Sequence, residues 1–577
     1  MYSLIPFFLL VVLQTCIGTS KAAVQVTVPA TPLTSNVVDA NFLGISFELS
    51  YIPQYFGNDT STINVPMLNY LAGIRVRTGS NPVRLRIGGN SADDSPYISE
   101  LATPMVQLEN GTFNDNDQSV VYNQNLWKVL AEVSQTVDGV AYLINIPLAI
   151  PPNASLSTDI RNIVGDSLDG MLLGNEPDLY TGHGKRPNLK NYTVADYFGD
   201  YRSALNTIGP DDSNGHQDVG GPGICCNWDL ATLLQQGFLS NFSSALKYIN
   251  VQHYPENNCG GPFPYQLPWF LQHSNVVNLA GWQKPGIDYL LEQPAANRPQ
   301  LINSEFNSAS CGGLPFSPSF AVGSLWTIDY ALQMASVGYS QAYIHTREEG
   351  IPYNLLTPPL GPAGTPGAWT TNAPYYSLLV MAEGLLTDQG GIVADLNLGG
   401  STTNPQANSS AYAVYDAGNK TVSRLIIFNY GNTSTEFAIP SSVFSSSGTA
   451  LVKFLAAATP QETTNISWGG ETWGPGVTDG KTTVSPSWAV PNVNLSDCSN
   501  NGCSFTAPGP SLAMVFLDNA QSSVITVPSP TVPNNSTTTS TTNKSGQGPS
   551  SALTLNASLT TAFSIVLSLV SLTFLSL

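Results

Sequence analysis

The sequence predicts a (β/α)8 TIM barrel followed by a C-terminal antiparallel β-sandwich, and three observations carry that prediction. Between residues 36 and 388, eight short apolar runs alternate with longer helix-like stretches, the pattern of repeated βαβ units. From about 390 to 525 the texture changes to alternating strands broken by Gly, Pro, Asn and Ser. Setting both ends of the 577 residues aside leaves roughly 500, too many for one hydrophobic core.

The eight runs are 42–48 (FLGISFE), 83–88 (VRLRIG), 140–146 (VAYLINI), 170–175 (GMLLGN), 216–220 (HQDVG), 247–253 (KYINVQH), 300–305 (QLINSE) and 341–346 (QAYIHT). Eight such units suggest a closed barrel. Helix-like segments between them include 126–137 and 320–337. The fifth run is the shortest and most polar. In the second region, 411–415, 424–429, 451–456 and 513–517 alternate as strands do, and no helix stands out. Residues 24–28 alternate too and are expected to add a strand to the sandwich.

Both ends carry processing signals. Residues 4–17 are apolar but too short to span a bilayer, and small residues follow at Gly18, Ser20, Ala22 and Ala23, as in a cleaved secretion signal. Residues 527–551 are rich in Ser, Thr, Pro and Asn, a composition suited to a glycosylated stalk. An apolar tail follows, strongest over 562–577, with small residues upstream at Ser545, Gly546, Ser550 and Ser551; this matches a GPI attachment signal. The expected organisation is a signal peptide at 1–22, a strand joining the sandwich at 23–35, the barrel at 36–388, the sandwich at 389–525, the stalk at 526–551 and the tail at 552–577.

Composition agrees with a secreted, cell-surface or wall-associated glycoprotein. About fourteen Asn-X-Ser/Thr acceptors occur, among them Asn58, Asn110, Asn153, Asn191, Asn241, Asn432 and Asn494. Of 7 cysteines, Cys16 leaves with the signal, and the rest form an even set in an oxidising compartment. Cys498 and Cys503 are close enough for a local bridge; the pairing of Cys225, Cys226, Cys259 and Cys311 is open. A net charge of −19 disfavours nucleic acid and polysulfated polymers as partners. The membrane is reached only through the lipid anchor, and the oligomeric state stays open. His183, His216, His253, His273 and His345 show no metal-ligand spacing, and no phosphate loop or dinucleotide fingerprint is present. Neither metal nor organic cofactor is implied.

Barrel enzymes place reactive groups at the C-terminal ends of strands. Glu48, Glu176 and Glu305 end or follow the first, fourth and seventh runs. Two carboxyl groups flanking one sugar bond suffice for glycoside hydrolysis: a protonated one gives its proton to the leaving oxygen, and an ionised one attacks the anomeric carbon. Their environments must push the two pKa values apart. Glu176 and Glu305 supply such a pair, as general acid/base and nucleophile. Asn175 is placed to bind the sugar 2-hydroxyl. Arg86 reads as the partner of a structural carboxylate, His345 as a satisfied core histidine, and Cys225-Cys226 as disulfide cysteines rather than a catalytic thiol.

The motif at 173–178 (LGNEPD) resembles the acid/base segment of clan A glycosidases. Residues 302–307 (INSEFN), followed by Gly312-Gly313, resemble the nucleophile segment of glycoside hydrolase family 79, which holds β-glucuronidases and heparanases. Residues 86–90 (RIGGN) and His253-Tyr254 sit where that family has matching segments. The resemblance implies that Glu48 and Asn90 contact sugar hydroxyls and that Tyr254 orients the nucleophile. It implies too that Tyr353, with backbone N–H groups at Gly312 and Gly313, binds the uronic carboxylate. Ser310 and Cys311 stand where the family often has a tyrosine.

The implied activity is that of a retaining exo-β-glucuronidase removing terminal β-linked glucuronate, the 4-O-methyl form included, from glycans or proteoglycans. Three alternatives stay open: a heparanase-like endo-enzyme, a clan A glycosidase for neutral sugars, and a non-catalytic GPI-anchored carbohydrate-binding wall protein. With only 20 Lys and Arg in the chain, a heparan sulfate substrate ranks lower.

Overall fold

The computed structural model describes residues 22–517, apart from 103, 109–117, 210–216, 362–363 and 482–483. The expected signal, stalk and apolar tail therefore lie outside the described residues, but for residue 22. Eight parallel strands close into a barrel. They are β1 (Leu43–Glu48), β2 (Val83–Gly88), β3 (Val140–Ile146), β4 (Leu168–Leu173), β5 (Val219–Ile224), β6 (Leu246–His253), β7 (Gln300–Phe306) and β8 (Gln341–Thr346). β8 pairs with β1, and β5 with β6, so no edge is left open.

Seven strands fall on the runs read from the sequence, within two residues at either end. The fifth does not. The run at 216–220 gives way to β5 at Val219–Ile224, and His216 itself lies outside the described residues. β5 reads VGGPGI, which is poor in the branched and aromatic residues that announce a strand. The physical reason is crowding. A Cβ on Gly220 would lie 2.6 Å from Leu172, and one on Gly221 would lie 2.8 Å from Tyr201 and 2.9 Å from Phe238.

Inside the barrel, Leu143, Leu172, Tyr248, Ile302 and Tyr343 form one apolar layer. An ionic layer at the N-terminal end of the strands includes Arg84, Asp169 and Lys247, with Arg84 Nη1 2.7 Å from Asp169. Outside it, amphipathic helices press apolar stripes onto the strands. The helix Gln124–Thr136 starts at Asn123, whose side chain accepts from the Asn125 N–H, and it buries Leu126, Trp127, Val129, Leu130 and Val133. The helix Ala373–Leu385 is buried on every side.

The C-terminal part is an antiparallel sheet in the order Val37–Val38, Gly391–Asp395, Ser409–Asp416, Val422–Asn429, Ser511–Phe516, Ala450–Ala457, Ile466–Trp468, with Val493–Leu495 also on Ala450–Ala457. Its two faces do different work because side chains alternate along a strand. Ala411, Ala413, Tyr415, Leu425 and Ile427 face a second, three-stranded sheet carrying Phe437 and Phe505. Tyr412, Val414, Ile426 and Phe428 join the barrel core. The segment at the start of the described chain enters the three-stranded sheet: Val24–Gln25 pairs in parallel with Thr435–Ile439.

Two buried ionic clusters pin barrel to sheet. Glu383 lies 2.8 Å from Arg77 Nε and 2.7 Å from Lys453 Nζ, and accepts from Trp468 Nε1 at 2.8 Å. His273 bridges Asp329 and Asp395, each at 3.0 Å, while Tyr412 and Tyr430 donate to Asp329 at 2.7 Å. Three disulfides form: Cys225–Cys226, Cys259–Cys311 and Cys498–Cys503. Among the described residues, no helix is long and apolar enough to cross a membrane, and no group of three or more His, Cys, Asp and Glu could hold a metal ion.

Candidate active site

The C-terminal ends of the strands deliver the candidate residues to one cavity of about 250 Å³. β1 ends at Glu48, β7 carries Glu305, and Asn90, Glu176, Tyr254 and Tyr353 come from the segments after β2, β4, β6 and β8. A larger cavity of about 650 Å³ lies on the sheet domain, between Val28–Ala30 and residues such as Asp416 and Phe444. It holds none of the candidate groups and adjoins Leu517, the last described residue, so the chemistry is placed in the smaller one.

Glu305 is held by partners on three sides. Arg86 Nη1 donates to Oε2, Tyr254 OH donates to Oε1 at 2.8 Å, and His345 Nε2 stands 3.9 Å from Oε1. Arg86 is fully buried, and its fork is spent on fixed acceptors: Nε on Asn145 Oδ1 at 3.0 Å, Nη1 also on Ser46 Oγ at 3.0 Å, Nη2 on Asn175 Oδ1 at 2.7 Å. Asn175 Oδ1 also accepts from Gln252 Nε2 at 2.8 Å, and its Nδ2 donates to Asn90 Oδ1 at 2.8 Å. The amide is thereby oriented from below.

Glu176 follows β4 in the left-handed region, at φ 48° and ψ 54°. That conformation costs a residue with a Cβ about 1–2 kcal/mol. It is held by the Glu176 N–H on the Gly223 carbonyl at 3.1 Å and by its own carbonyl accepting from the Leu179 N–H at 2.9 Å. Pro177 then starts a short 3-10 turn.

The two carboxyls sit in opposed environments. Burial drives the Glu176 pKa well above the ordinary glutamate value, and the charges of Glu305, Asp178 and Glu48 drive it further, outweighing Arg86. Burial also pushes Glu305 upward, but His345, Arg86 and the Tyr254 hydrogen bond outweigh it and hold Glu305 below the ordinary value. One carboxyl is thus kept protonated and the other ionised.

Glu48 accepts from the Ser91 N–H at 2.7 Å and lies 3.3 Å from His345 Nε2. The chain turns at Gly89 with φ +82°, where a Cβ would lie 2.2 Å from the Glu48 carboxylate; only glycine fits. Gly312 and Gly313 do not reach the cavity wall, where Cys311 stands instead. Their φ values are +90° and +85°, and Cβ atoms there would press on Ile351 and on Tyr353 and Ser317. These glycines let the loop after β7 seat against the Tyr353 segment. Asn175 lies beneath the cavity rather than on its wall.

The fold is shared with known enzymes. Residues 411–514 match the model of the glycosyl hydrolase family 79 C-terminal β domain. A β-glucuronidase of Aspergillus niger is 24% identical over 506 residues, covering 76% of this chain and 84% of its own. One from Neurospora crassa is 25% identical over 443 residues, covering 72% and 76%. These matches liken the chain to glycoside hydrolase family 79. Among solved structures, a 4-O-α-L-rhamnosyl-β-D-glucuronidase of Fusarium oxysporum has a TM-score of 0.67 at 19% identity, covering 85% of this chain and all of that one. A family 51 α-L-arabinofuranosidase of Bifidobacterium longum reaches 0.57 at 13%, covering 87% and 100%. These two likenesses concern the fold.

Within this site, sequence reasoning missed several residues. Arg86, read as the partner of a structural carboxylate, is paired with Glu305. His345, read as a satisfied core histidine, does bond Ser46 Oγ at 2.9 Å but lines the cavity between Glu48 and Glu305. Arg347 also lines the cavity, with its Nε 2.6 Å from Glu348. Position at the end of β8 was the available signal for both.

Proposed function

We propose that this protein is a secreted, retaining β-glucuronidase of glycoside hydrolase family 79 acting on terminal β-linked glucuronate, with Glu176 as general acid/base and Glu305 as nucleophile. The observation that carries the reading is the split between the two carboxyls, Glu305 held ionised by His345, Arg86 and Tyr254 against its burial, and Glu176 kept protonated by desolvation and negative neighbours. In the first step Glu305 attacks the anomeric carbon as Glu176 gives its proton to the leaving oxygen. Glu176, now ionised, then takes a proton from water, which displaces Glu305 with a second inversion.

A uronic acid as substrate is supported by the β-glucuronidase activity named for both fungal relatives. It is supported also by charge. Among the described residues, Arg347 is the only Lys or Arg on a cavity wall that carries Glu48, Glu176, Glu256 and Glu305. Arg347, with Tyr353 beside it and Glu348 2.6 Å from its Nε, is the group on this wall that suits a uronate carboxylate. A polysulfated chain would need several such cations. The cavity volume suits one terminal sugar rather than a stretch of polymer, which favours exo action. Three disulfides support work in an oxidising compartment.

The test is release of p-nitrophenol from its β-D-glucuronide beside the β-D-glucoside, using soluble protein ending near Ile525. The expected result is glucuronide turnover that is lost in Glu305→Ala and Glu176→Ala. Turnover of the glucoside alone would move the specificity to a neutral sugar, and turnover of neither by the intact protein would overturn the proposal.

A further inference from the structure

The turn after β5 lies beside Glu176 and carries two adjacent cysteines joined to each other. Cys225 is buried, whereas Cys226 is exposed and stands on the cavity wall. The backbone of this turn is fixed without the bridge. The N–H groups of Cys225, Cys226 and Asn227 all donate to the Asp178 carboxylate, at 3.2, 2.7 and 2.7 Å, and Asn227 Nδ2 donates to the Asp178 carbonyl at 3.0 Å.

The bridge also does little for the fold as a whole. The gain from a cross-link rises with the length of chain it closes. Cys259–Cys311 closes a separation of 52 residues, but Cys225–Cys226 closes 1. What this bridge changes is the surface. Two thiols that could donate hydrogen bonds become one polarizable, apolar patch. Leu179 and His183 share that wall.

The general acid must reach the glycosidic oxygen, so the leaving group lies on the Glu176 side of the cavity. A pyranose presents C–H bonds on its faces and needs apolar surface to cover them. We propose that the Cys225–Cys226 disulfide and Leu179 form the floor of the leaving-group subsite, taking the C–H face of the pyranose to which the glucuronate is attached. This rests on Glu176 being the acid of a β-glucuronidase.

The test compares kcat/KM for a β-glucuronosyl-galactose disaccharide and for methyl β-D-glucuronide, whose leaving group has no ring. In the Cys225→Ala/Cys226→Ala protein, which keeps the three N–H donors to Asp178, the disaccharide-to-methyl ratio falls about three- to tenfold. An unchanged ratio overturns the subsite. Leu179→Ser gives the same comparison if the double variant is not secreted. Titration of the unreduced, denatured protein with a chromogenic thiol reagent finds no thiol in the segment 225–226; two thiols there overturn the proposal. Failure of the intact protein to turn over either glucuronide overturns the glucuronidase reading, and the subsite with it.

Discussion

Replacing Tyr254 by Phe removes a single hydroxyl, the one that donates to Glu305 Oε1 at 2.8 Å, and leaves the ring in place. A hydrogen bond to a charged, buried group contributes about 1.5–3 kcal/mol. One pH unit corresponds to about 1.4 kcal/mol, so losing this bond from the ionised form raises the Glu305 pKa by about one to two units. The sign follows from Glu305 working as an ion. In the intact protein the acid limb of kcat/KM lies below the ordinary glutamate range, because Glu305 is held low by His345, Arg86 and Tyr254 against the effect of burial. In Tyr254→Phe that limb moves upward by about one to two units. The plateau falls less steeply, since the lost bond stabilised the ionised ground state that the attack consumes. The assay is a pH–rate profile on p-nitrophenyl β-D-glucuronide from pH 3 to 8. An acid limb that stays where it was, with or without a lower plateau, would refute Tyr254 as a determinant of the Glu305 charge.

Three further outcomes follow from the same geometry. Glu176→Ala loses about 10²–10⁴-fold on sugars with poor leaving groups, and azide restores turnover of an activated aryl glucuronide in it but not in Glu305→Ala; rescue of the latter with unchanged product configuration would reverse the two roles. Burial pushes the His273 pKa down, but Asp329 and Asp395 outweigh it and raise it from 6.5 to about 10. Its stabilisation is therefore fully present below pH 6.5 and is lost as pH climbs to about 10; melting temperatures over that window decline, and His273→Gln flattens the decline. Glu383→Ala leaves Arg77 and Lys453 without their shared buried carboxylate, at a cost of about 3–5 kcal/mol; denaturant unfolding measures it, and a loss under 1 kcal/mol would refute the cluster as an interdomain pin.

The barrel was legible because its strands are apolar runs buried on both sides, and the second sheet because its sides alternate. β5 was not, since tight packing against Leu172, Tyr201 and Phe238 leaves room for glycine where a strand former would have signalled. Within the site, Glu48, Glu176 and Glu305 were found by asking which carboxylates end a strand. Arg86 and His345 were visible by the same rule, yet their partners were not. The bond from Arg86 to Glu305 joins β2 to β7 across the barrel, and no local pattern encodes a contact of that sequence separation. Gly312 and Gly313 show the reverse case. They were expected to bind a carboxylate, but sequence alone could not tell that the space they leave is filled by Ile351 and Tyr353.

The pairing of Val24–Gln25 with Thr435–Ile439 sets a schedule for biosynthesis. Val24 meets Phe437, and Val37 meets Ile392, partners that the ribosome makes several hundred residues later. Apart from β1, which closes the barrel on β8, each barrel strand can pair with the strand made just before it, whereas these early segments gain their partners only after residue 390. Nascent chains stopped before residue 435 are therefore expected to expose an open sheet edge that attracts chaperones or other chains. For the same reason, trimming the first residues of the described chain would weaken the far, C-terminal sheet before it touched the barrel beside it in sequence.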